Sequence, residues 1–275
     1  MARIVESIPS LSRLYLPRNQ IDDLGAVKCL SMTLKAHPNL QSIKLSHCSI
    51  GNNVDIILAI LQSDVSRINL SFNDIGSPGA EVISGYLETN PPIYTLDIDY
   101  NEFNEDDAVL FSQALRRNTN LIEFYARQSA RGTNFSVAGI KSLIKSVFDS
   151  ACLNSVAESN HRCKLYLFPL SSNIRDHVEM INDTGNSYIE RKKRKLLIAL
   201  RESDSLIGYL EDVPVELVPE VMGFILDKEN VKKRISMIYE IMKMPSLYSY
   251  HRQSCSRAVA KRKRDEYRER EVQVL

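Results

Sequence analysis

One apolar pattern recurs along the first half of this 275-residue chain at a nearly constant interval. Leu11, Leu14 and Leu16 are followed by Asn19 and Ile21; Leu40, Ile43 and Leu45 by Cys48 and Ile50. Val65, Ile68 and Leu70 lead to Asn73 and Ile75, and Ile93, Leu96 and Ile98 to Asn101 and Phe103. A weaker copy begins Leu121, Phe124, Ala126, with Ser129 in the Asn position, and successive copies start 29, 25, 28 and 28 residues apart. A register held over five units belongs to a repeat architecture. Within a unit, apolar residues two apart on a short strand face one side, and the following Asn or Cys can hydrogen-bond backbone that leaves the strand. Cys48 is thereby a core position.

Between these strands the periodicity becomes helical: Ala26, Leu30, Leu34; Ile56, Ile57, Ile60, Leu61; Ala80, Ile83, Leu87; Ala108, Leu110, Phe111, Leu115. Each unit therefore reads strand, turn, helix. A single unit cannot bury its own apolar faces, so the expected fold is an α/β solenoid with parallel strands on a concave face and helices on the convex one. The Asn, Cys, Asn, Asn ladder and the period resemble leucine-rich repeats of the ribonuclease-inhibitor type over about residues 10 to 170. That class includes enzyme inhibitors, Ran-type GTPase-activating proteins and innate immune receptors. The resemblance thus implies recognition of another protein, with regulation of a small GTPase as the alternative. Against the GTPase-activating relatives, this chain is shorter and ends basic, where they carry a longer array and an acidic C-terminal segment.

From about residue 127 the register loosens. RQSARGTNFS replaces the expected turn, a helical run follows at Ile140, Leu143, Ile144 and Val147, and a degenerate last unit places its strand at 165–168. LNSVAESNHRC at 153–163, YLEDVPVELVPEVMGFI and MPSLYSY resemble the C-terminal region of uncharacterised leucine-rich-repeat proteins expanded in diatoms, which implies no particular chemistry. The expected division is a solenoid of five to six repeats over 1–185 and a helical C-terminal region over 186–275. Helices are expected there at 188–201, 215–226, 231–242 and 247–268, with Pro214, Pro219 and Pro245 at boundaries or first turns. This region is expected to cap the last repeat, because a terminal unit otherwise exposes its apolar face. At the other end only ten residues precede the first repeat, and Ile4, Val5 and Ile8 are the candidates to shield it; the alternatives are an edge that meets a partner, or an incomplete reading frame.

A formal net charge of +1 argues against a dedicated nucleic-acid or anionic-membrane binder, so electrostatic function must come from local patches. No apolar stretch approaches the roughly 20 residues needed to cross a bilayer. Five scattered cysteines, Cys29, Cys48, Cys152, Cys163 and Cys255, suit reduced thiols. A cytoplasmic protein is expected. Nuclear entry is the further reading, through the basic runs at 191–195 and 261–264. The first run is followed by Leu196, Leu197 and Leu200, which suggests a helix packed by its apolar stripe with the basic side outward. The basic tail also admits a nuclear or RNA-associated adaptor, but lacks the aromatic interleaving of a base-stacking surface.

The repeat register names the residues that project from the concave face. These are Arg13, Tyr15, Lys44, Arg67, Asn69, Phe72, Asp97, Asp99, Tyr100, Glu123, Tyr125 and Arg127, the candidate partner-binding set. The early cations and later carboxylates suggest a polarised surface, with tyrosine and arginine as typical interface anchors. Asp97 and Asp99 share a strand face as the carboxylates of a cation site or an acid-base pair would, yet nothing converges on them and an open repeat face lacks the enclosure catalysis needs. Cys152, His161 and Cys163 supply three of the four ligands that zinc normally takes, with no fourth apparent. No nucleophile motif, phosphate loop or HExxH sequence occurs. The expectation is a binding protein without catalytic residues, cofactor or metal.

Overall fold

The computed structural model describes residues 11–21, 24–37, 39–63, 65–127, 135–151, 153–167, 172–183, 187–202 and 218–226. Six strands of three residues each, β1 (Arg13–Tyr15), β2 (Ser42–Lys44), β3 (Arg67–Asn69), β4 (Thr95–Asp97), β5 (Glu123–Tyr125) and β6 (Lys164–Tyr166), form one parallel sheet in chain order. Helices α1 (Leu24–Ala36), α2 (Val54–Leu61), α3 (Ser77–Glu88), α4 (Glu105–Arg117) and α5 (Val137–Val147) connect successive strands, α6 (Leu153–Glu158) also precedes β6, and α7 (Ser172–Asn182) follows it. Residues 1–149 with 158–191 make one compact unit, and 150–157 with 192–275 a second. Within the second lie the end of α8 (Tyr188–Glu202) and α9 (Val218–Leu226), where Leu196, Ala199 and Val221 are buried. The helices expected at 231–242 and 247–268 lie outside the described residues.

The strands pair in the register of the sequence repeat: Leu14, Ile43, Ile68, Leu96, Phe124 and Leu165 lie side by side, each buried. Leu45, Leu70 and Ile98, two residues on, form the next buried row, and Ile56, Ile83, Phe111 and Leu143 close the core from the helices. Helix starts are fixed by local chemistry. Asn53 caps α2, Asn104 and Asp107 form a reciprocal capping box on α4, and Ser136 caps α5. Helix packing leaves no room for a side chain at Gly79, where a Cβ would stand 2.2 Å from the Ile75 side chain.

The asparagine positions carry the hydrogen bonds that join one turn to the next. Asn73 Nδ2 donates to the carbonyls of Leu45, Leu70 and Ser71, and its Oδ1 accepts from Cys48 N at 2.7 Å. Asn101 repeats this one unit later: its Nδ2 donates to Leu70, Ile98 and Asp99, and its Oδ1 accepts from Asn73 N and Ile75 N. Cys48 fills the same place with a thiol, whose Sγ–H donates to Leu16 O at 3.0 Å, the contact made by Nδ2 in its neighbours. Burial raises the Cys48 thiol pKa and keeps it in the donor form.

The last unit differs from expectation. Asn160 Oδ1 accepts from Arg162 N and Cys163 N, as Asn118 Oδ1 accepts from Asn120 N and Leu121 N. Cys163 therefore replaces the first aliphatic residue of the repeat, one residue closer to the strand than Leu121 is, and the strand begins at Lys164. The free edge of β6 is covered by α7, an element the sequence pattern did not reveal. Asn182 Oδ1 accepts from Leu165 N at 3.0 Å and its Nδ2 donates to Leu165 O at 2.7 Å, so one side-chain amide stands in for a seventh strand.

Asn101→Ala orphans several buried backbone groups and is expected to destabilise the protein by about 3 kcal/mol or more. Asn73→Ala should cost a similar amount, and urea unfolding of both variants checks the expectation.

Candidate functional site

Parallel pairing aligns three rows of side chains on the sheet face. Arg13, Ser42, Arg67, Thr95, Glu123 and Lys164 form the first, and Tyr15, Lys44, Asn69, Asp97, Tyr125 and Tyr166 the second. The backbone ladder carries the register on through Pro17, Ser46, Ser71, Asp99 and Arg127. The sequence-derived set is therefore brought together on contiguous strands, with Phe72 and Tyr100 at the rim.

Its charges are arranged differently from the expected two zones. Asp99 is 1% exposed, so its charge does not face solvent freely. Arg127 holds it by three contacts: Nε to Oδ2 at 2.7 Å, NH2 to Oδ2 at 2.6 Å and backbone N to Oδ1 at 2.6 Å. Asp97 is half-buried, accepts from Asn69 Nδ2 and receives the Asp99 N–H at 3.1 Å. Desolvation, then repulsion from Asp99, lifts the Asp97 pKa to about 6. Three zones result: Arg13, Lys44 and Arg67 on the first strands, Asp97 and Glu123 in the middle, Arg127 and Lys164 beyond.

Aromatic side chains punctuate the face. Lys44 Nζ lies 5.4 Å from the centre of the Tyr15 ring, and the rings of Tyr125 and Tyr166 stack at 4.3 Å. Burial and then the Glu123 charge push the Tyr125 pKa up to about 12, so its hydroxyl stays protonated at neutral pH. On the rim, His47, Phe72 and Tyr100 make a continuous stack with centroids 4.2 and 4.3 Å apart. All three, with Arg18, have left-handed backbone at φ between 55 and 58°. Each occupies the position immediately before the Asn or Cys of its repeat. That spacing was present in the sequence, although the sequence-derived set contains only two of the four.

An open groove of about 940 Å³ continues the face beyond β6, lined among others by Tyr100, Arg127, Lys164, Tyr166, Arg175 and Glu179. The repeat pattern does not predict it, because α7 lies outside the repeat register. Elsewhere the basic run at 191–195 is not the outward face expected: Lys195 is buried, Arg191 to Lys193 are half-buried and only Arg194 is exposed. Burial lowers the Arg191 pKa. The second run, 261–264, lies outside the described residues, as does Cys152. Among the described residues no three His, Cys, Asp or Glu side chains converge as metal ligands, and no helix is long and apolar enough to cross a membrane.

Stacked strand–turn–helix units with an Asn/Cys ladder define a leucine-rich-repeat solenoid. A leucine-rich-repeat family model matches residues 64–84, which span the third strand and most of the helix that follows it. Solved structures similar to this chain include the leiomodin-1 actin-binding site 2, at 14% identity and a TM-score of 0.43, covering 73% of this chain and 94% of that one. The Caenorhabditis elegans tropomodulin C-terminal domain is similar at 11% identity and a TM-score of 0.38, covering 74% and 96%.

Because the folded pKa of Asp97 lies above its unfolded value near 3.8, folding takes up protons between about pH 4 and 6. Stability contributed by this site is therefore greatest below that window and falls as pH rises through it. Asp97→Asn should remove this fall, so its urea midpoint relative to wild type is expected to improve from pH 4 to pH 7.5; an unchanged difference would place the titration elsewhere.

Proposed function

We propose that this protein is a non-catalytic interaction scaffold that binds another protein on the concave face of its sheet. The observation that carries the reading is the alignment of Tyr15, Lys44, Asn69, Asp97, Tyr125 and Tyr166 on adjacent strands. Such a row offers large aromatic contacts and charges on a backbone already fixed by the asparagine ladder, which limits the ordering cost of association. An open, ladder-braced face suits recognition better than chemistry, since among the described residues no enclosed site gathers a nucleophile, a base and an oxyanion donor. We read the repeats as ribonuclease-inhibitor type, a reading supported by the helix in each unit and by the period near 28 residues.

The test compares capture of partner proteins by wild type, by a sheet-face variant (Tyr15→Ser, Arg67→Glu, Asp97→Asn) and by a helix-face variant (Met32→Ser, Val137→Ser). Asp99 is left intact because its ion pair with Arg127 is structural. Loss of the same partner by the first variant alone, with unchanged circular dichroism, is the expected result. Retention by the first variant and loss by the second would move the site to the helices.

A further inference from the structure

Four cations stand at the start of the arc, and among the described residues none forms an ion pair, although Lys44 is felt by Asp97 through space. Arg13, Lys44 and Arg67 project from β1, β2 and β3, and Arg18 stands in register with the His47, Phe72 and Tyr100 ring stack. All four are exposed. The other side chains of the three strand rows on β1 to β3 are Tyr15, Pro17, Ser42, Ser46, Asn69 and Ser71, none of them acidic. Among the described residues the register next meets a carboxylate at Asp97, one strand further along, and at Asp74, which follows the ladder residue Asn73.

We propose that this patch binds a short acidic stretch of the partner protein in extended conformation, an inference that rests on the sheet-face reading above. The size follows from the strands. Neighbours lie about 4.8 Å apart, so β1 to β3 span about 10 Å, the length of three or four extended residues. Carboxylates at alternate positions would reach the cations, and an interspersed aromatic or aliphatic residue would lie against Tyr15, 51% exposed, or Phe72, 40% exposed. A longer polyanion is disfavoured. Following the arc, a nucleic-acid backbone would run onto Asp97 and Glu123 and meet like charge.

The test selects a displayed library of random linear peptides on the full chain and measures binding of the enriched peptides to variants. Enriched peptides should be acidic with an aromatic or aliphatic residue. Their affinity should fall at least about tenfold in Arg13→Glu, Lys44→Glu, Arg67→Glu and remain unchanged in Lys141→Glu, on the exposed side of α5. Circular dichroism verifies folding of each variant, and if the triple reversal fails to fold, Lys44→Glu alone is read for a smaller loss of the same sign. Basic or neutral peptides that lose binding on Asp97→Asn would overturn this inference and leave the sheet-face function standing. Peptides indifferent to every sheet-face change would overturn both. Tighter binding of oligothymidylate than of any peptide would replace the acidic segment with nucleic acid.

Discussion

Everything on the sheet face depends on how backbone amides are satisfied where each strand ends. A strand of three residues has too few ladder bonds to hold its own turn, and a buried, unpaired N–H or C=O costs roughly as much as a hydrogen bond gains. Asn73 and Asn101 solve this by reaching one unit back and bonding within their own turn at once, and Cys48 does part of the work with its thiol. The ladder couples the units, and that coupling lets consecutive strands present side chains in strict register.

The rim follows from the same constraint. Turning the chain tightly before each ladder residue places Arg18, His47, Phe72 and Tyr100 in left-handed backbone, a conformation that disfavours a side chain by about 1–2 kcal/mol. The backbone N–H of each residue bonds the next unit, and the aromatic side chains stack on one another, which offsets the strain. Repetition thus turns a local cost into a continuous aromatic edge beside a charged sheet.

The solenoid was legible because its determinants are periodic. Apolar residues two apart, an Asn or Cys three residues on, and a helical stripe recur so often that chance cannot imitate them. What the sequence concealed was aperiodic. Helix α7 carries few apolar residues, with Val178 and Ile181 buried, and its key contribution is a single amide at Asn182. The altered spacing at Cys163 reads as degeneration until Asn160 is seen in the role of Asn118. Likewise, a carboxylate's place on the face was readable but its environment was not: Asp99 is neutralised by Arg127, a pairing 28 residues apart in sequence between the turns that follow β4 and β5. The basic run at 191–195 illustrates the converse, since composition suggested an open cationic face and packing buries Lys195.

On the proposed reading the sheet, and not the helix layer, meets the partner. Hydroxyl-radical footprinting of the protein alone and with its captured partner tests it directly, because reactive side chains lie on both sides. Tyr15 and Phe72 should become protected, while Met32 on α1, 54% exposed, keeps its reactivity. Protection of Met32 with Tyr15 and Phe72 unchanged would place the partner on the helices instead.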